Sequence, residues 1–479
     1  MKASVKMALG LAGLLAAISM GTSAQATTIT ANMGGSSAAT PFAQNVPLAV
    51  CDAFTSPSVN APKQFINGNI SSPSITAGKL ISWSCTQGSN TLVIRYSATG
   101  SSDGYLKLQN SEASASSFMP FLDETSTTGC TGPTDTTATI GGVIYHYNQY
   151  TGCTTLVNPS GTPPGAPVQI GWADVDGATF HQTGPLVPLT KVTPIDTTGI
   201  TINKTAIVPF AFVLGNGVQN VNPATGKVTG LVNSLSQEQV IGLFSRQVVD
   251  WRQIGLGTAP VNGDGSPAAV GTTADATSPV TLCLRKAGSG TKATLDVTVM
   301  VEGVKEVTSG SSDLTQAADG VYFGTSTQDV RDCIQGNSGS SRPAHPHAIG
   351  YMEADQGYLV NFPTSGIAQG YLVRMDGYLS YDSSQLTLIP PGDPQVYQKC
   401  GKWKYWTIER LNTRTPASSD SNVLTLINSI ISKANDPNLI AGMNFTWVAG
   451  VNSQVTKNAD PGPISFVNTP ALSLCNGIN

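Results

Sequence analysis

Residues 280–291, VTLCLRKAGSGT, have the pattern of a strand, a glycine-rich turn and the first turn of a helix. Leu295 and Val299 continue the segment at helical spacing. A helix start presents free backbone N–H groups and a partial positive charge, and Arg285 adds a fixed charge with forked donors. The pattern is therefore typical of an oxyanion cradle. A capped helix start beside an ordinary surface arginine explains the same residues equally well, so both interpretations stay open at this point.

The same segment lacks the features of two catalytic motifs. Ala293 follows Lys292, so the GxxxxGK[ST] spacing of a P-loop is absent. Ala287 stands where a nucleophile elbow requires its first glycine. His345 and His347 have no cysteine or paired carboxylate nearby, which favours a loop over a metal site. We therefore predict no enzyme activity, no cofactor and no metal, and a secreted hydrolase is the weakest hypothesis.

Strand-like runs alternate with amphipathic segments elsewhere in the chain, which predicts an α/β protein. Residues 92–96 (LVIRY), 169–172 (QIGW) and 207–214 (IVPFAFVL) are examples of such runs. Two helices are well marked. Ser236 and Gln239 form a capping-box pattern that begins one of them, and the other follows Asp420. Ligands of open α/β sheets bind beyond the carboxyl ends of the strands, so we expect a site there.

The composition narrows the possible partners. Of the 479 residues, only 11% are charged, whereas about 25% is usual for a soluble domain. The formal net charge is −4 and no basic stripe is present. We therefore predict that neither nucleic acid nor an anionic membrane surface is a partner.

Residues 1–26 have the pattern of a cleaved signal peptide. Lys2 and Lys6 form a positive start, residues 7–20 are apolar, and a small-x-small cleavage site ends at Ala26. The apolar run is shorter than the roughly 20 residues that span a bilayer, and no later segment reaches that length. We predict a periplasmic or secreted protein with no membrane insertion.

The eight cysteines fit an oxidising compartment, because their number is even and none forms a CxxC motif. Eight cysteines allow 105 connectivities, so a pairing based on sequence proximity is only a hypothesis. That pairing is Cys51–Cys85, Cys130–Cys153, Cys283–Cys333 and Cys400–Cys475.

Six motifs occur in order along the chain. They are residues 35–42 (GSSAATPF), 99–104 (TGSSDG), 171–174 (GWAD), 235–254 (LSQEQVIGLFSRQVVDWRQI), 285–291 (RKAGSGT) and 348–353 (AIGYME). In this order the chain resembles the periplasmic phosphate-binding proteins of ABC phosphate transporters, which are type II periplasmic binding proteins. The resemblance implies a set of phosphate donors from hydroxyls, backbone N–H groups and one guanidinium: Ser37, Ala38, Ser101, Arg285, Ser289, Gly290 and Thr291.

Asp174 completes the set as an acceptor. Protonated phosphate can donate to this carboxylate, whereas fully ionised sulfate cannot, and an unpaired buried carboxylate costs roughly 1–3 kcal/mol. Without the resemblance, a turn or N-cap role for Asp174 would be favoured. The chain departs from the family at Ala38, where an aromatic residue is usual, and at Ala287, where an acidic residue commonly orients the arginine.

The architecture implied by the resemblance is a disulfide-stapled α/β fold of two lobes with a ligand cleft between them. Lobe 1 would combine residues 27–190 and 346–479, and lobe 2 would hold residues 191–345. Residues 105–168 are rich in Ser, Thr and Gly and show little periodicity, so we predict a large insertion in lobe 1, formed by a loop or a small excursion.

The predicted function is that of an exported solute-binding protein that binds inorganic phosphate or a related oxyanion for uptake or scavenging. An ABC permease is a possible partner under this hypothesis. The alternative is a secreted surface or matrix protein that keeps the binding-protein fold but has no transport role.

Overall fold

The computed structural model describes residues 26–71, 74–75, 78–180, 195–285, 288–300, 320–324, 326–336, 343–361, 369–387, 392–444, 446–453, 455–457, 464–466 and 475. The predicted signal peptide lies outside these ranges except for its last residue. Within them, no helix combines the length and the apolar composition needed to cross a membrane.

The strands of the described residues are β1 (Thr28–Gly35), β2 (Lys63–Asn67), β3 (Ile70–Ser71), β4 (Ser74–Ile75), β5 (Leu80–Gln87), β6 (Asn90–Ala98), β7 (Phe118–Met119), β8 (Thr131–Ile140), β9 (Val143–Cys153), β10 (Ala166–Pro167), β11 (Ile170–Ala173), β12 (Ile200–Gly215), β13 (Val218–Asn222), β14 (Lys227–Leu231), β15 (Ser234–Leu235), β16 (Leu256–Thr258), β17 (Thr281–Arg285), β18 (Val321–Gly324), β19 (Ala348–Glu353), β20 (Gly370–Met375), β21 (Trp406–Arg414), β22 (Val448–Ala449), β23 (Val455–Lys457) and β24 (Ile464–Phe466). The α-helices are α1 (Thr40–Val50), α2 (Ser101–Leu106), α3 (Gln237–Phe244), α4 (Gly290–Thr298), α5 (Thr327–Gln335), α6 (Ala354–Asn361), α7 (Val396–Lys399), α8 (Ser421–Ala434) and α9 (Pro437–Met443). Short 3-10 turns occupy Ser37–Ala39, Ala115–Ser117, Gly177–Phe180, Trp251–Ile254, Ser383–Thr387 and Gly450–Asn452.

The protein has a mixed α/β fold built on one large sheet. The main strand order is β18-β17-β19-β12-β21-β11-β1-β6-β5-β2-β9-β8. Two sets of parallel strands lie in this sheet, β6, β1 and β11 in one and β18, β17 and β19 in the other. Antiparallel strands β21 and β12 separate the two sets.

The two parallel sets point their carboxyl ends at the middle of β12. Ala173 at the end of β11 pairs with Arg410 of β21, which pairs with Lys204 of β12. Glu353 at the end of β19 pairs with Phe210 of β12, and β19 runs antiparallel to β12. Because β11 and β19 approach this region from opposite directions, the loops that follow both sets meet there. This region is where an α/β sheet binds ligands.

The two well-marked helices form as the sequence predicts. Ser236 caps α3, and both hydrogen bonds of the capping box with Gln239 are present. Asp420 caps α8 by accepting from the backbone N–H groups of Asn422 and Val423. Local capping chemistry is sufficient to place both starts because each cap satisfies backbone donors within its own first turn.

The predicted insertion contains regular structure, which differs from the expected loop or small excursion. Within residues 105–168, β8 and β9 form an antiparallel hairpin, and β9 pairs in parallel with β2. The hairpin therefore widens the sheet at its edge. Most side chains of β8 are exposed, so the strand lacks the alternating apolar pattern by which sequence reveals a half-buried strand.

Four disulfides staple the fold, and they join the cysteines that are nearest neighbours in sequence. The pairs are Cys51–Cys85, Cys130–Cys153, Cys283–Cys333 and Cys400–Cys475. Cys283 lies in β17 and Cys333 in α5, so this buried bridge fixes α5 against the sheet. The start of α5 contributes to the site described below.

The predicted boundary at residues 345/346 lies just before β19, a strand in the middle of the large sheet. That boundary assigned β19 and β20 to lobe 1, but both strands pair with β12, and β19 also pairs with β17. The chain returns to the first parallel set only at β21, which pairs with β11. The division into two lobes stays a prediction.

Candidate functional site

The candidate site lies where polar loops leave the strand ends and begin helices. The Ser37–Ala39 turn and α1 follow β1, α2 follows β6, and α4, α5 and α6 follow β17, β18 and β19. Each helix start directs backbone N–H groups and a partial positive charge toward the region beyond the strand ends. As the sequence pattern of residues 280–291 predicts, β17 ends at Arg285 and α4 begins at Gly290. Lys286 and Ala287 of that segment lie outside the described residues.

Arg285 is the central charge of the site, and its side chain is only 2% exposed. Its guanidinium donates to the hydroxyls of Thr327 (Nη1 to Oγ1, 2.9 Å) and Thr291 (Nη1 to Oγ1, 3.4 Å). Its Nη2 donates to Ser37 Oγ at 3.5 Å. Arg285 therefore brings together the starts of α4 and α5 from one parallel set and the loop after β1 from the other.

Glu353 places a buried carboxylate beside this guanidinium. Its Oε1 lies 3.8 Å from Arg285 Nη1, and its Oε2 accepts a hydrogen bond from the Thr327 hydroxyl. Glu353 is 5% exposed, and its Oε1 has no hydrogen-bond partner among the described residues. A buried carboxylate oxygen without a hydrogen bond favours a ligand that donates one to it.

Asp174 lies deeper in the same region and is almost fully buried. It accepts a hydrogen bond from the Ser36 hydroxyl. Burial raises the pKa of Asp174 above its usual value, and the Ser36 hydrogen bond and the Arg285 charge oppose that shift. Burial also raises the pKa of Glu409 well above its usual value, and the neighbouring Asp174 charge adds to the effect. The two carboxyls therefore hold protons more tightly than exposed ones.

The start of α4 packs closely on Asp174 and on the start of α2. A β-carbon added to Gly290 would lie 2.4 Å from Asp174 Oδ2 and 2.4 Å from Ser101 Oγ. Ser289 caps α4, and its hydroxyl accepts from the Lys292 N–H at 3.3 Å. Ser101, Ser289, Gly290 and Thr291 are all buried, so the structure brings them together with Asp174 and Arg285.

The loop after β1 differs in detail from the sequence-based assignment. The backbone N–H of Ala38, which was expected to donate to an anion, donates to Ser36 Oγ at 3.0 Å. Ser36 is the N-cap of the following turn and also binds Asp174, whereas Ser37 directs its hydroxyl at Arg285. If the turn began one residue later, Ser36 and Ser37 would exchange these roles. Sequence patterns do not place the start of a turn to within one residue.

A pocket of about 580 Å³ adjoins the buried cluster. Two of the expected site residues, Ser37 and Ala38, line it, and so do Thr327 and Glu353. The pocket also contains several charged and polar side chains that the sequence-based assignment did not name: Thr40, Gln44, Lys79, Gln328, Asp355, Gln356 and Asn444.

Two further ionisable side chains in the pocket wall have shifted pKa values. Burial, with the Arg285 charge, lowers the pKa of Lys79 to about 8. Burial raises the pKa of Asp355, and repulsion from the Glu353 carboxylate adds to that rise. These shifts show that the charges lie close enough to influence one another.

Sequence reasoning missed Thr327, Glu353, Lys79 and Glu409. Ser326 and Asp329 form a capping box at the start of α5, a local pattern that could have identified Thr327 as a residue at a helix start. Glu353 ends the 348–353 motif, which assigned it no role in the site. Lys79 and Glu409 carry no local signal, because strand pairing and packing bring them to the site. Among the described residues, no group of three or more His, Cys, Asp or Glu is arranged to hold a metal ion.

Comparisons with known proteins add little beyond this geometry. No protein-family model matches the chain. No curated protein matches it either. Among solved structures, the chain is similar to the crystal structure of an ABC-type phosphate transport receptor from Vibrio cholerae, with a TM-score of 0.28 and 12% sequence identity. The alignment covers 55% of this chain and 74% of the receptor. A TM-score of this size carries no argument about fold or ligand.

Proposed function

We propose that the protein is an exported solute-binding protein that binds inorganic phosphate or a related oxyanion in a cleft between two lobes. The observation that carries the proposal is the buried Arg285 guanidinium, which gathers the hydroxyls of Ser37, Thr291 and Thr327. A guanidinium with surrounding hydroxyls and helix starts is suited to a tetrahedral oxyanion, because it supplies charge and several directed donors.

The two lobes would each contain one of the parallel strand sets, with β12 and β21 passing between them. Ser37, Ala38, Ser101 and Asp174 would bind the anion from one lobe, and Arg285 and the start of α4 from the other. Closure would bring these groups onto the anion, which is the usual way that a hinged binding protein captures its ligand. During closure, the Ala38 N–H would break its hydrogen bond to Ser36 Oγ and donate to the anion instead.

Asp174 and Glu353 would make the site selective for an anion that still carries a proton. Both carboxyls are buried beside the cradle, so a fully ionised anion would meet them without offering a hydrogen bond. Hydrogen phosphate offers a donor, whereas sulfate does not. Each unsatisfied buried acceptor costs about 1–3 kcal/mol, which corresponds to a preference of at least about fivefold for phosphate.

Calorimetric titration of the phosphate-stripped protein with phosphate and then with sulfate tests the proposal. We expect phosphate binding that sulfate does not match, a loss of about tenfold or more in Arg285→Ala, and a narrower phosphate preference in Asp174→Asn. Arg252→Ala is the matched control, because that arginine is exposed and pairs with Asp250 instead. The absence of heat with either anion from folded protein would refute the proposal.

The second candidate function is a secreted surface or matrix protein that keeps the fold without transporting an anion. The Ala38 N–H favours it, because it donates to Ser36 Oγ without a ligand. The Glu353 carboxylate beside Arg285 also favours it, because it offsets the arginine charge without an anion. Permease and ATPase genes beside the coding gene would favour transport and an ABC permease as partner. A folded protein that binds neither anion would favour the surface role.

A further inference from the structure

The pocket beside Arg285 is larger than an inorganic oxyanion requires. Its volume is about 580 Å³, which lies within the roughly 300–1,000 Å³ range of pockets that hold organic molecules. The hydroxyls of Ser37 and Thr327 form the part of the wall that lies against Arg285. An anionic group bound there would leave most of the pocket for the rest of a larger ligand.

The charges of the pocket wall match a ligand that carries both signs. Lys79 and the adjoining Arg285 supply two positive charges, and the carboxylates of Glu353 and Asp355 supply two negative ones. Glu353 is the informative member, because its Oε1 is buried and has no hydrogen-bond partner among the residues that the structure describes. Asp355 lines the same pocket, so a cation placed there would be shared by two carboxylates.

We infer that the natural ligand is an organic phosphate monoester or phosphonate that carries an amino group. Its anionic end would bind Arg285 and the Ser37 and Thr327 hydroxyls, and its ammonium group would donate to Glu353 Oε1 and Asp355. The inference rests on the proposed oxyanion function and assigns the substrate class of the same site. A charge-assisted hydrogen bond from ammonium to carboxylate supplies the hydrogen-bond donor that Glu353 Oε1 lacks in addition to its ion pair with Arg285.

Titration with three probes tests the inference on the purified, disulfide-bonded protein: inorganic phosphate, ethyl phosphate and 2-aminoethyl phosphate. The two esters differ only in the amino group, so their affinity ratio isolates its contribution. We expect 2-aminoethyl phosphate to bind about tenfold or more tightly than ethyl phosphate. Glu353→Gln and Asp355→Asn should each reduce that ratio, and Glu238→Gln, which changes an exposed carboxylate, should not.

The outcomes distinguish failure of this inference from failure of the proposed function. Equal affinity for the two esters, or a preference that survives both variants, would overturn the inference. Binding of inorganic phosphate with no binding of either ester would overturn it as well, while the oxyanion function would stand. No binding of any probe would overturn both. If Glu353→Gln does not fold, Asp355→Asn still decides the result, because the described hydrogen bonds of the Arg285 guanidinium go to Ser37, Thr291 and Thr327 and do not depend on Asp355.

Discussion

Gly290 offers a direct test of how closely the loops of the site meet. It is the first residue of α4, and a β-carbon there would lie 2.4 Å from both Asp174 Oδ2 and Ser101 Oγ. Its backbone is outside the left-handed region, so alanine introduces no backbone strain. The effect of Gly290→Ala therefore comes from steric overlap with two buried side chains.

The magnitude follows from two opposing contributions. Overpacking in a closely packed interior costs about 1–3 kcal/mol. Alanine gains at most about 1 kcal/mol of helix propensity over glycine, and less at the first helical position. Displacement of the Asp174 carboxylate also weakens its hydrogen bond from Ser36, which adds to the loss. We expect a net loss of about 2 kcal/mol in the free energy of unfolding.

Urea unfolding followed by tryptophan fluorescence and circular dichroism measures this loss. Gly263→Ala is the matched control, because a β-carbon there meets no atom within 4 Å and its backbone is also outside the left-handed region. That control should change the free energy of unfolding by less than about 0.5 kcal/mol. If Gly290→Ala is as stable as the control, the starts of α2 and α4 do not meet at Asp174, and the reasoning about the cradle fails.

Four further predictions address stability and charge. Replacing Cys283 and Cys333 by serine should cost about 2–5 kcal/mol in urea unfolding, since their disulfide fixes α5, and equal stability would contradict this role. Ser236→Ala should cost about 1 kcal/mol through the lost cap of α3, measured in the same way. Because the pKa of Glu409 is raised in the folded state, its contribution to stability is lost as pH rises above 4.5. Glu409→Gln should therefore gain stability relative to wild type as the pH rises above that value, and a constant difference would count against this prediction. Lys79 loses its proton above a pKa of about 8, so phosphate affinity should fall there in wild type, and a Lys79→Met variant should lack that decrease in calorimetry.

Features governed by short-range chemistry were predictable from the sequence. The cap at Ser236 and the helix after Asp420 depend on side chains within one turn of the helix start, so their patterns are visible in a few residues. The start of α4 was predictable for the same reason, because Ser289 caps it from within its own first turn. The cysteine pairing could be proposed from the sequence because each disulfide joins cysteines that are neighbours in the sequence. Proximity alone did not exclude the other connectivities.

Features governed by long-range pairing were not predictable. The hairpin of β8 and β9 is held by its pairing with β2, and its exposed threonine-rich strand has no apolar periodicity. Glu353 reaches Arg285 because β19 lies beside β17, a neighbour relation that no local pattern specifies. The distinction between Ser36 and Ser37 depends on where a turn begins, to within one residue. The sequence therefore named Arg285 and the residues at the start of α4, whereas Thr327, Lys79 and the Glu353 carboxylate could be found only from the packing of the strands.

The continuous course of β12 has a consequence for how the protein opens. Its first residues bond to β21, whereas Phe212 and Val213 bond to β19 and β20 on either side. Neither half of the sheet can lose its order without breaking a strand that the other half also uses. Amide hydrogens along β12 should therefore exchange with solvent at similar, slow rates, through one cooperative opening of the whole sheet. A protease attacking these strands would have to wait for that global event, which gives the whole sheet a common lifetime against proteolysis.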